Sequence, residues 1–519
     1  MIYIDPPYNT GNDFVYPDDY RDNIKNYLEI TGQLDAEGRK LGTNSEASGR
    51  YHTDWLNMMY PRLKLARNLL TDDGVIFISI NDNEIDNLKK ICNEVFGENN
   101  FVAQLVWSNK EGGGSSDSKY FRIKHEYIFC YAKNKEITEI KGVAINNLDR
   151  YTMKDEYLSI RGPFYLQKLG MGSIQYSENL DYPIETPNQT FVTPAQNNNG
   201  KKACWRWSQS KYNWGIENDF VVIKKDSKNI WTIYTKQYLK CDNNGNLIER
   251  TQRPVGIIDS FSSTQASKYL DSIQLGAFFN YSKPLDLIKY IISLLEGKSS
   301  TILDFFSGSA TTAHAVTELN VADSCNRKFI MVQLPELTNE KSEAYKAGYK
   351  TICEIGKERI RRSGEKILKE NKDKEGIENL DIGFKVFKLD SSNIKKWNVD
   401  GENLEISIDN MIDNFVSNRI EEDIVYEIML KYGIDLTYPV EMRNIADKKV
   451  FSIGFGALII CIDDEITLKV IEGIVNLKKK LNHEKTRVVF KDNGFKNDSV
   501  KTNAIHILRR NNIQEIMSI

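Results

Sequence analysis

Cysteine is scarce in this chain and never paired. Seven of them (Cys92, Cys130, Cys204, Cys241, Cys325, Cys353 and Cys461) lie scattered without a C-x-x-C dyad, which argues against both a disulfide framework and a zinc site. Histidine is equally thin, with five dispersed residues, so no metal is expected. No G-x-x-x-x-G-K-[ST] run occurs, which excludes the phosphate-cradling loop of nucleotide-driven motors. Long apolar runs are missing too. The longest, Gly454 to Ile462, falls far below the ~20 residues of a bilayer span. The first residues lack a basic stretch followed by an apolar core, so a cytoplasmic protein without membrane contact is expected.

What is present fits a soluble multidomain protein. Apolar residues make up 40% and charged ones 27% of 519 positions, a globular balance. At roughly 100 to 200 residues per domain this length implies three or four units. Met1 to Ile4 reads as a short buried strand stopped at Asp5 by Pro6 and Pro7, because two prolines cannot extend a ladder. Asn9 to Arg50 reads as a long polar loop with one helical segment. Helical periodicity over Asp54 to Leu70, then a strand Val75 to Ile80, a helix Glu84 to Phe96 and strands Phe101 to Trp107 and Tyr127 to Ala132 make an α/β layer with a mostly parallel sheet.

From about Asn134 to Leu275 the periodicity degrades. Inside that stretch, 201–240 holds nine basic residues (Lys201, Lys202, Arg206, Lys211, Lys224, Lys225, Lys228, Lys236 and Lys240) against Glu217, Asp219 and Asp226, a local balance of +6, with Trp205, Trp207, Trp214 and Trp231 interleaved. Basic and aromatic side chains so mixed suit a nucleic-acid surface, although four tryptophans can equally form a small core. The α/β pattern then resumes: helix Leu285 to Leu295, strand Ser300 to Phe305, a helix from Thr311, strand Phe329 to Leu334 and a helix from Ala344 to Leu368. Arg359, Arg361 and Arg362 give that last helix a basic end, ordinarily a solvated face. A charged segment from Lys369 to Gly376 reads as a linker. Beyond it, strands are expected at Phe384 to Phe387, Val450 to Ile462 and Thr486 to Phe490.

Two motifs carry chemistry. Asp5-Pro6-Pro7-Tyr8 sets a carboxylate and the Pro6 carbonyl, two acceptors, on a backbone that prolines hold rigid, next to an aromatic ring. Such acceptors can localise the lone pair of a poorly nucleophilic amine on a base and stabilise the charge that develops there, while Tyr8 offers a stacking face. Asp304-Phe305-Phe306-Ser307-Gly308-Ser309-Ala310-Thr311 is a strand ending in an acid and running through small residues into a helix. Small side chains let a cofactor approach, and the helix start favours an anionic group. Either motif alone also fits an ordinary strand followed by a tight turn. His52 and His125 fall in the same half of the chain as the first motif, and structural roles are expected for both.

Taken together, "IYIDPPYNTGNDFVYPDDY", "HTDWLNMMYPRLKLARNLLTDDGVIFISINDNE", "ILDFFSGSATTAHAV" followed by "FIMVQLPE", and the late stretch "VVFKDNGFKNDSVKTNAIHILRR" closely resemble the modification (Mod) subunit of type III restriction–modification systems. The resemblance implies a β-class adenine-N6 DNA methyltransferase: a Rossmann-like fold in permuted motif order, with an inserted target-recognition domain and an α+β C-terminal domain. It divides the chain into a catalytic half (1–134), a recognition insert (135–275), an S-adenosylmethionine-binding half (276–376) and a C-terminal domain for dimer or partner contacts (377–519). It makes Asp5, Pro6, Pro7 and Tyr8 catalytic. Asp304, Phe306, Gly308, Ser309, Thr311, Glu336 and Lys283 of Ser282-Lys283-Pro284 become cofactor-binding, with Ala310 at a position where the family has a glycine. Lys201, Lys202, Trp205, Arg206, Trp207 and Lys211 would contact DNA. The implied partners are double-stranded DNA with a flipped adenine, a second copy of the chain and a restriction (Res) subunit with helicase and nuclease activity.

Protein-glutamine and RNA methyltransferases with a similar tetrapeptide place the cofactor motif first, the reverse of the order here. Cytosine-C5 methylation needs a Pro-Cys nucleophile, and that dipeptide does not occur. Cytosine-N4 transfer stays open, although aspartate before the prolines favours adenine. So does an inactive or split DNA-binding specificity subunit, because family members carry more chain ahead of the catalytic motif than the four residues present here, which reads as an N-terminal truncation.

Overall fold

The buried triplet Ile2–Ile4 forms a strand, β1, that ends where Pro6 and Pro7 withdraw their N–H groups from the ladder. In the computed structural model, described for residues 1–10, 51–110, 120–145, 148–171, 175–198, 200–279, 282–295, 297, 299–395 and 414–519, that strand is an interior strand, fifth in the order of a seven-stranded sheet. The expected loop from Asn9 to Arg50 falls almost wholly outside the described residues. Helix α1 (Tyr51–Leu69) leads into β2 (Val75–Ile80), every residue of which is buried, as suits a strand covered on both faces. Helix α2 (Ile85–Phe96), β3 (Phe101–Ser108) and β4 (His125–Ala132) follow. After an inserted region come β8 (Ile257–Ile258), α4 (Ser263–Ser272), α5 (Leu285–Ser293), β9 (Thr301–Asp304), α6 (Thr311–Asp323), β10 (Lys328–Met331) and α7 (Ile352–Glu370). The insert itself contributes β5 (Phe164–Lys168), α3 (Gln209–Glu217), β6 (Val221–Lys225) and β7 (Trp231–Tyr238).

The sheet order is β8-β3-β4-β2-β1-β9-β10, and β4 alone runs against its neighbours. Side-chain alternation along β1 decides the layers. Ile2 and Ile4 join α1 and α2 in one core with Trp55, Met59 and Leu88, while Tyr3 faces a second core with Leu287, Ile291, Ala315 and Val316 from α5 and α6. The fold is thus the three-layer α/β arrangement expected. From β1 the chain crosses through α1 to β2 on one side, and from β9 through α6 to β10 on the other. The crevice at the carboxyl ends of β1 and β9 is therefore the topological switch point where such sheets bind ligands.

Within the expected insert, Phe164, Trp205, Trp207, Phe220, Ile233 and Tyr238 form a separate core under the antiparallel sheet β6-β7-β5. The last part of 135–275 does not belong to that core: β8 adds to the edge of the main sheet beside β3, and Phe261 accepts a hydrogen bond at its carbonyl from Trp107 Nε1 (2.6 Å).

The described chain forms two compact units, Met1–Ile382 and Gly383–Ile519. The second holds α8 (Glu421–Lys431) and a sheet ordered β11 (Val440–Ile445), β12 (Lys448–Ile453), β13 (Leu458–Cys461), β14 (Arg487–Phe490), β15 (Glu515–Ser518). Helices α9 (Leu468–Leu481) and α10 (Asp498–Arg510) cover one face through Ile471, Ile474 and Leu508; α8 covers the other through Val425 and Ile428.

Three expected elements are corrected. The run Val450 to Ile462 is two strands, broken where Gly454, Phe455 and Gly456 all take positive φ. The helix from Ala344 to Leu368 is a single turn, Glu343–Lys346, and then α7, interrupted at Gly348 (φ +96°). Among the described residues, Phe384 to Phe387 belongs to no strand; alternation of apolar residues does not by itself make one. Among the described residues no helix is long and apolar enough to cross a membrane, and no cluster of three or more His, Cys, Asp or Glu could hold a metal.

Candidate active site

Because Ile2 pairs with Leu303 in parallel register, the two motifs, hundreds of residues apart in sequence, leave the sheet side by side at the same level. Each tip is then built by a different set of neighbours.

At the β1 tip, both carboxylate oxygens of Asp5 accept from Lys283 Nζ, at 2.8 and 2.7 Å. The same ammonium lies 3.7 Å from Glu126 Oε2 on β4 and 5.0 Å from the centre of the Tyr8 ring. Tyr8 donates its hydroxyl to Glu126 Oε2 (2.9 Å), and Asn109 Nδ2 donates to Glu126 Oε1 (2.7 Å). Burial pulls the Lys283 ammonium down, but the Asp5 and Glu126 carboxylates outweigh it and raise the group above the ordinary lysine range. Burial, together with those two carboxylates, holds the Tyr8 hydroxyl well above its usual value, so it remains a donor. The backbone behind the motif is fixed as well. Trp55 Nε1 donates to the Pro7 carbonyl (2.7 Å), and Asn83 Nδ2 to that of Asn9 (3.1 Å). Asn9, at φ +54°, donates through Nδ2 to the buried Glu84, which also takes Asn87 and contacts His52 Nδ1 (2.7 Å). His52 and His125, the latter 2.9 Å from the Tyr127 hydroxyl, thus have structural partners.

At the β9 tip, Asp304 is buried and accepts from the Phe306 N–H (3.1 Å) and Thr312 Oγ1 (2.6 Å). Burial pushes its carboxyl up to about 7 against the pull of those bonds. The turn that follows passes through left-handed backbone at Gly308 (φ +49°) and again at Ala310 (φ +60°), a conformation a non-glycine residue adopts only under constraint. The Gly308 N–H donates to Gln333 Oε1 (2.8 Å). Ser309 and Thr311 are buried beside Ser282, with Ser282 Oγ 2.9 Å from Thr311 Oγ1. Phe306 sits in the α1-side core. Glu336, beyond β10, is half-buried, and burial raises its carboxyl above the usual range; among the described residues its carboxylate has no hydrogen-bond partner. A half-buried carboxylate without a donor fits ribose hydroxyls, which can donate to it, and a small-residue turn lined with hydroxyls fits an anionic group, which can accept from them.

Two placements differ from expectation. Lys283 is directed at the Asp5–Tyr8 tetrapeptide, so of Ser282-Lys283-Pro284 it is Ser282 that reaches the Ser307–Thr311 turn. Trp205 and Trp207 belong to the core of the insert: Trp205 Nε1 donates to the Tyr182 carbonyl (2.7 Å), and the Trp207 carbonyl accepts from the Tyr182 hydroxyl (3.0 Å). These indoles are packing groups, not stacking faces. Arg206 is spent on Lys168 O, Gln167 Oε1 and Thr235 Oγ1 (3.2, 3.1 and 2.8 Å). Lys211 lies 3.5 Å from the Trp214 ring centre and Lys202 3.9 Å from that of Tyr176, while Lys201 is exposed. Lys236 is buried between Asp155 (2.8 Å) and Asp219. Exposed cations cluster instead on the β6–β7 hairpin, at Lys224, Lys225 and Lys228.

Two residues of the site, Glu126 and Arg359, are not marked by either motif. Far from lying on a solvated helix end with Arg361 and Arg362, Arg359 is 1% exposed. A signal existed: Ile355, Gly356, Arg359, Ile360, Ser363 and Ile367 share the buried stripe of α7 at helical spacing.

A family model described as DNA methylase matches residues 1–360. Among relatives, the chain is 37% identical over 382 residues to the Mod subunit of the type III restriction-modification enzyme EcoPI of Escherichia phage P1, covering 69% of this chain and 58% of that one. It is 35% identical over 400 residues to the StyLTI Mod subunit of Salmonella typhimurium, covering 75% and 56%. With the EcoP15I Mod subunit of Escherichia coli it shares 32% over 474 residues, covering 85% and 69%. The chain thus spans little more than half the length of the first two relatives.

Proposed function

This chain belongs to the DNA methylase family, and within it to the modification subunits of type III restriction–modification enzymes; from that premise we propose that it methylates N6 of an adenine flipped out of double-stranded DNA, using S-adenosylmethionine. The observation that carries the reading is the meeting of the Asp5 tetrapeptide with the Asp304 to Thr311 turn at one crevice of the sheet. The cofactor supplies an electrophilic methyl group on a sulfonium centre. The chain's own residues prepare the other reactant. Asp5 and the Pro6 carbonyl accept the two N–H bonds of the exocyclic amine, which draws its lone pair out of the ring and stabilises the positive charge that nitrogen acquires. A carboxylate has about four lone-pair sites, and Lys283 occupies one on each oxygen, so Asp5 keeps acceptor capacity for the amine. Tyr8, held through its hydroxyl by Glu126, presents its ring to the base. On the cofactor side, the Glu336 carboxylate takes the ribose hydroxyls and the Ser309 and Thr311 region receives the carboxylate end.

DNA would be held by the insert, with Lys224, Lys225 and Lys228 on phosphates rather than the buried tryptophans. The working assembly would add a second copy of the chain and a restriction subunit with helicase and nuclease functions, in the cytoplasm. Transfer of tritiated methyl groups from S-adenosylmethionine to unmodified genomic DNA tests the reading. Incorporation by the wild type and none by Asp5→Ala is expected; DNA binding without incorporation would leave a specificity subunit. Replacing the three hairpin lysines by alanine should weaken DNA binding and lower the slope of log affinity on log salt by about 1 for each phosphate no longer neutralised.

A further inference from the structure

Arg359 has no role in the chemistry above, and its surroundings are unusual for a buried cation. Its Nη1 donates to Ser282 Oγ (2.8 Å), Ser309 Oγ (2.9 Å) and Thr311 Oγ1 (2.7 Å), and its Nε to His314 Nδ1 (3.4 Å). Among the described residues it makes no ion pair. The nearest candidate, Glu318, acts on it through space but is engaged by Lys289 Nζ (2.8 Å) and the Tyr269 hydroxyl (2.9 Å). Burial brings Arg359 down to about 10, which leaves it cationic at neutral pH, and burial takes His314 down to about 4, which leaves it a neutral acceptor. A guanidinium can only donate. Each hydroxyl it meets is therefore an acceptor on that side and keeps its own proton to give. Ser282 can pass its proton to the Lys283 carbonyl (3.2 Å) and, besides Arg359, accept one from either Ser309 (3.4 Å) or Thr311 (2.9 Å), which leaves the other of these two with a proton for a ligand. The helix is brought this close by Gly356, where a Cβ would stand 3.2 Å from the Gly308 carbonyl oxygen. A buried charge without a counter-ion is costly, and an anionic ligand group nearby relieves that cost.

We propose that Arg359 is a specificity-determining residue of the cofactor pocket: by making Ser282, Ser309 and Thr311 accept from it, so that one of the latter two hydroxyls keeps a proton for a ligand, and by supplying an unanswered positive charge behind them, it makes the pocket select a ligand that ends in a carboxylate. This rests on the S-adenosylmethionine reading. The test is equilibrium binding of S-adenosylmethionine and of its decarboxylated analogue, which differs only in that group, to the full chain. Wild type should prefer the carboxylate form by about 30-fold or more. Arg359→Met should reduce the preference to a few-fold, with affinity for the decarboxylated ligand nearly unchanged, and Arg359→Lys should recover part of it. Equal loss for both ligands, or a preference that survives in Arg359→Met, overturns the proposal. If Arg359→Met does not fold, Thr311→Val carries the test: loss of preference supports the assignment and an unchanged preference overturns it. A wild type that binds neither ligand overturns the cofactor reading itself, a result distinct from binding without preference.

Discussion

The two adjacent strand tips at the switch point of the sheet treat charge in opposite ways. At the end of β1 the Asp5 carboxylate is met by Lys283, and a second carboxylate, Glu126, lies 3.7 Å from that cation while holding Tyr8. At the end of β9 the cation Arg359 meets, among the described residues, hydroxyls and a neutral imidazole, and the Asp304 carboxyl is held near neutrality by burial. The first tip sets two carboxylates against one ammonium before any ligand arrives, a net negative balance that suits an amine on which positive charge develops. The second has positive charge unanswered, which suits a cofactor with an anionic end.

The largest expected effect comes from breaking the first tip. Asp5→Ala should reduce methyl transfer by about 10³-fold, while S-adenosylmethionine affinity, measured by calorimetry, stays nearly constant; a parallel loss of binding would mean the tips are not separable. The next concerns Asp304. Its folded value is raised from 3.8 to about 7, so the unfolded chain ionises first as pH rises. Its favourable contribution is complete below about 4 and is lost progressively up to about 7, by at most roughly 4 kcal/mol. Asp304→Asn should remove that part of the pH dependence in urea unfolding between pH 4 and 7, and an identical slope in both proteins would contradict the assignment. Glu126→Gln keeps an acceptor for Tyr8 but removes the second carboxylate from Lys283. About a tenfold fall in turnover is expected, with cofactor affinity unaffected. The smallest effect is Gly356→Ala, which pushes α7 from the turn by a few tenths of an ångström and should weaken cofactor binding by about threefold.

The layer order, the permuted motifs and the switch-point crevice were legible because each rests on local pattern: proline after a strand, small residues before a helix, apolar periods of 2 and 3.6. Contacts between distant residues were not. Lys283 looks like part of a cofactor motif by its neighbours in sequence, and only the pairing of β1 with β9 brings it to Asp5. Glu126 is one charged residue at the start of a strand, with nothing nearby to mark it. Arg359 was hidden by its charge, although glycine one turn before it and serine one turn after it lie on the buried stripe. Basic and aromatic interleaving in the insert misled for Trp205 and Trp207, since composition cannot tell a stacking indole from a packed one. The breaks at Gly348 and Gly454 were available as glycines but sat inside runs whose apolar content suggested continuity.

Nucleoside analysis of DNA after incubation with the chain and labelled S-adenosylmethionine tests the central claim most directly. The account predicts label in N6-methyldeoxyadenosine, abolished in Asp5→Ala. Label in N4-methyldeoxycytidine, or none from a chain that still binds both cofactor and DNA, would contradict it.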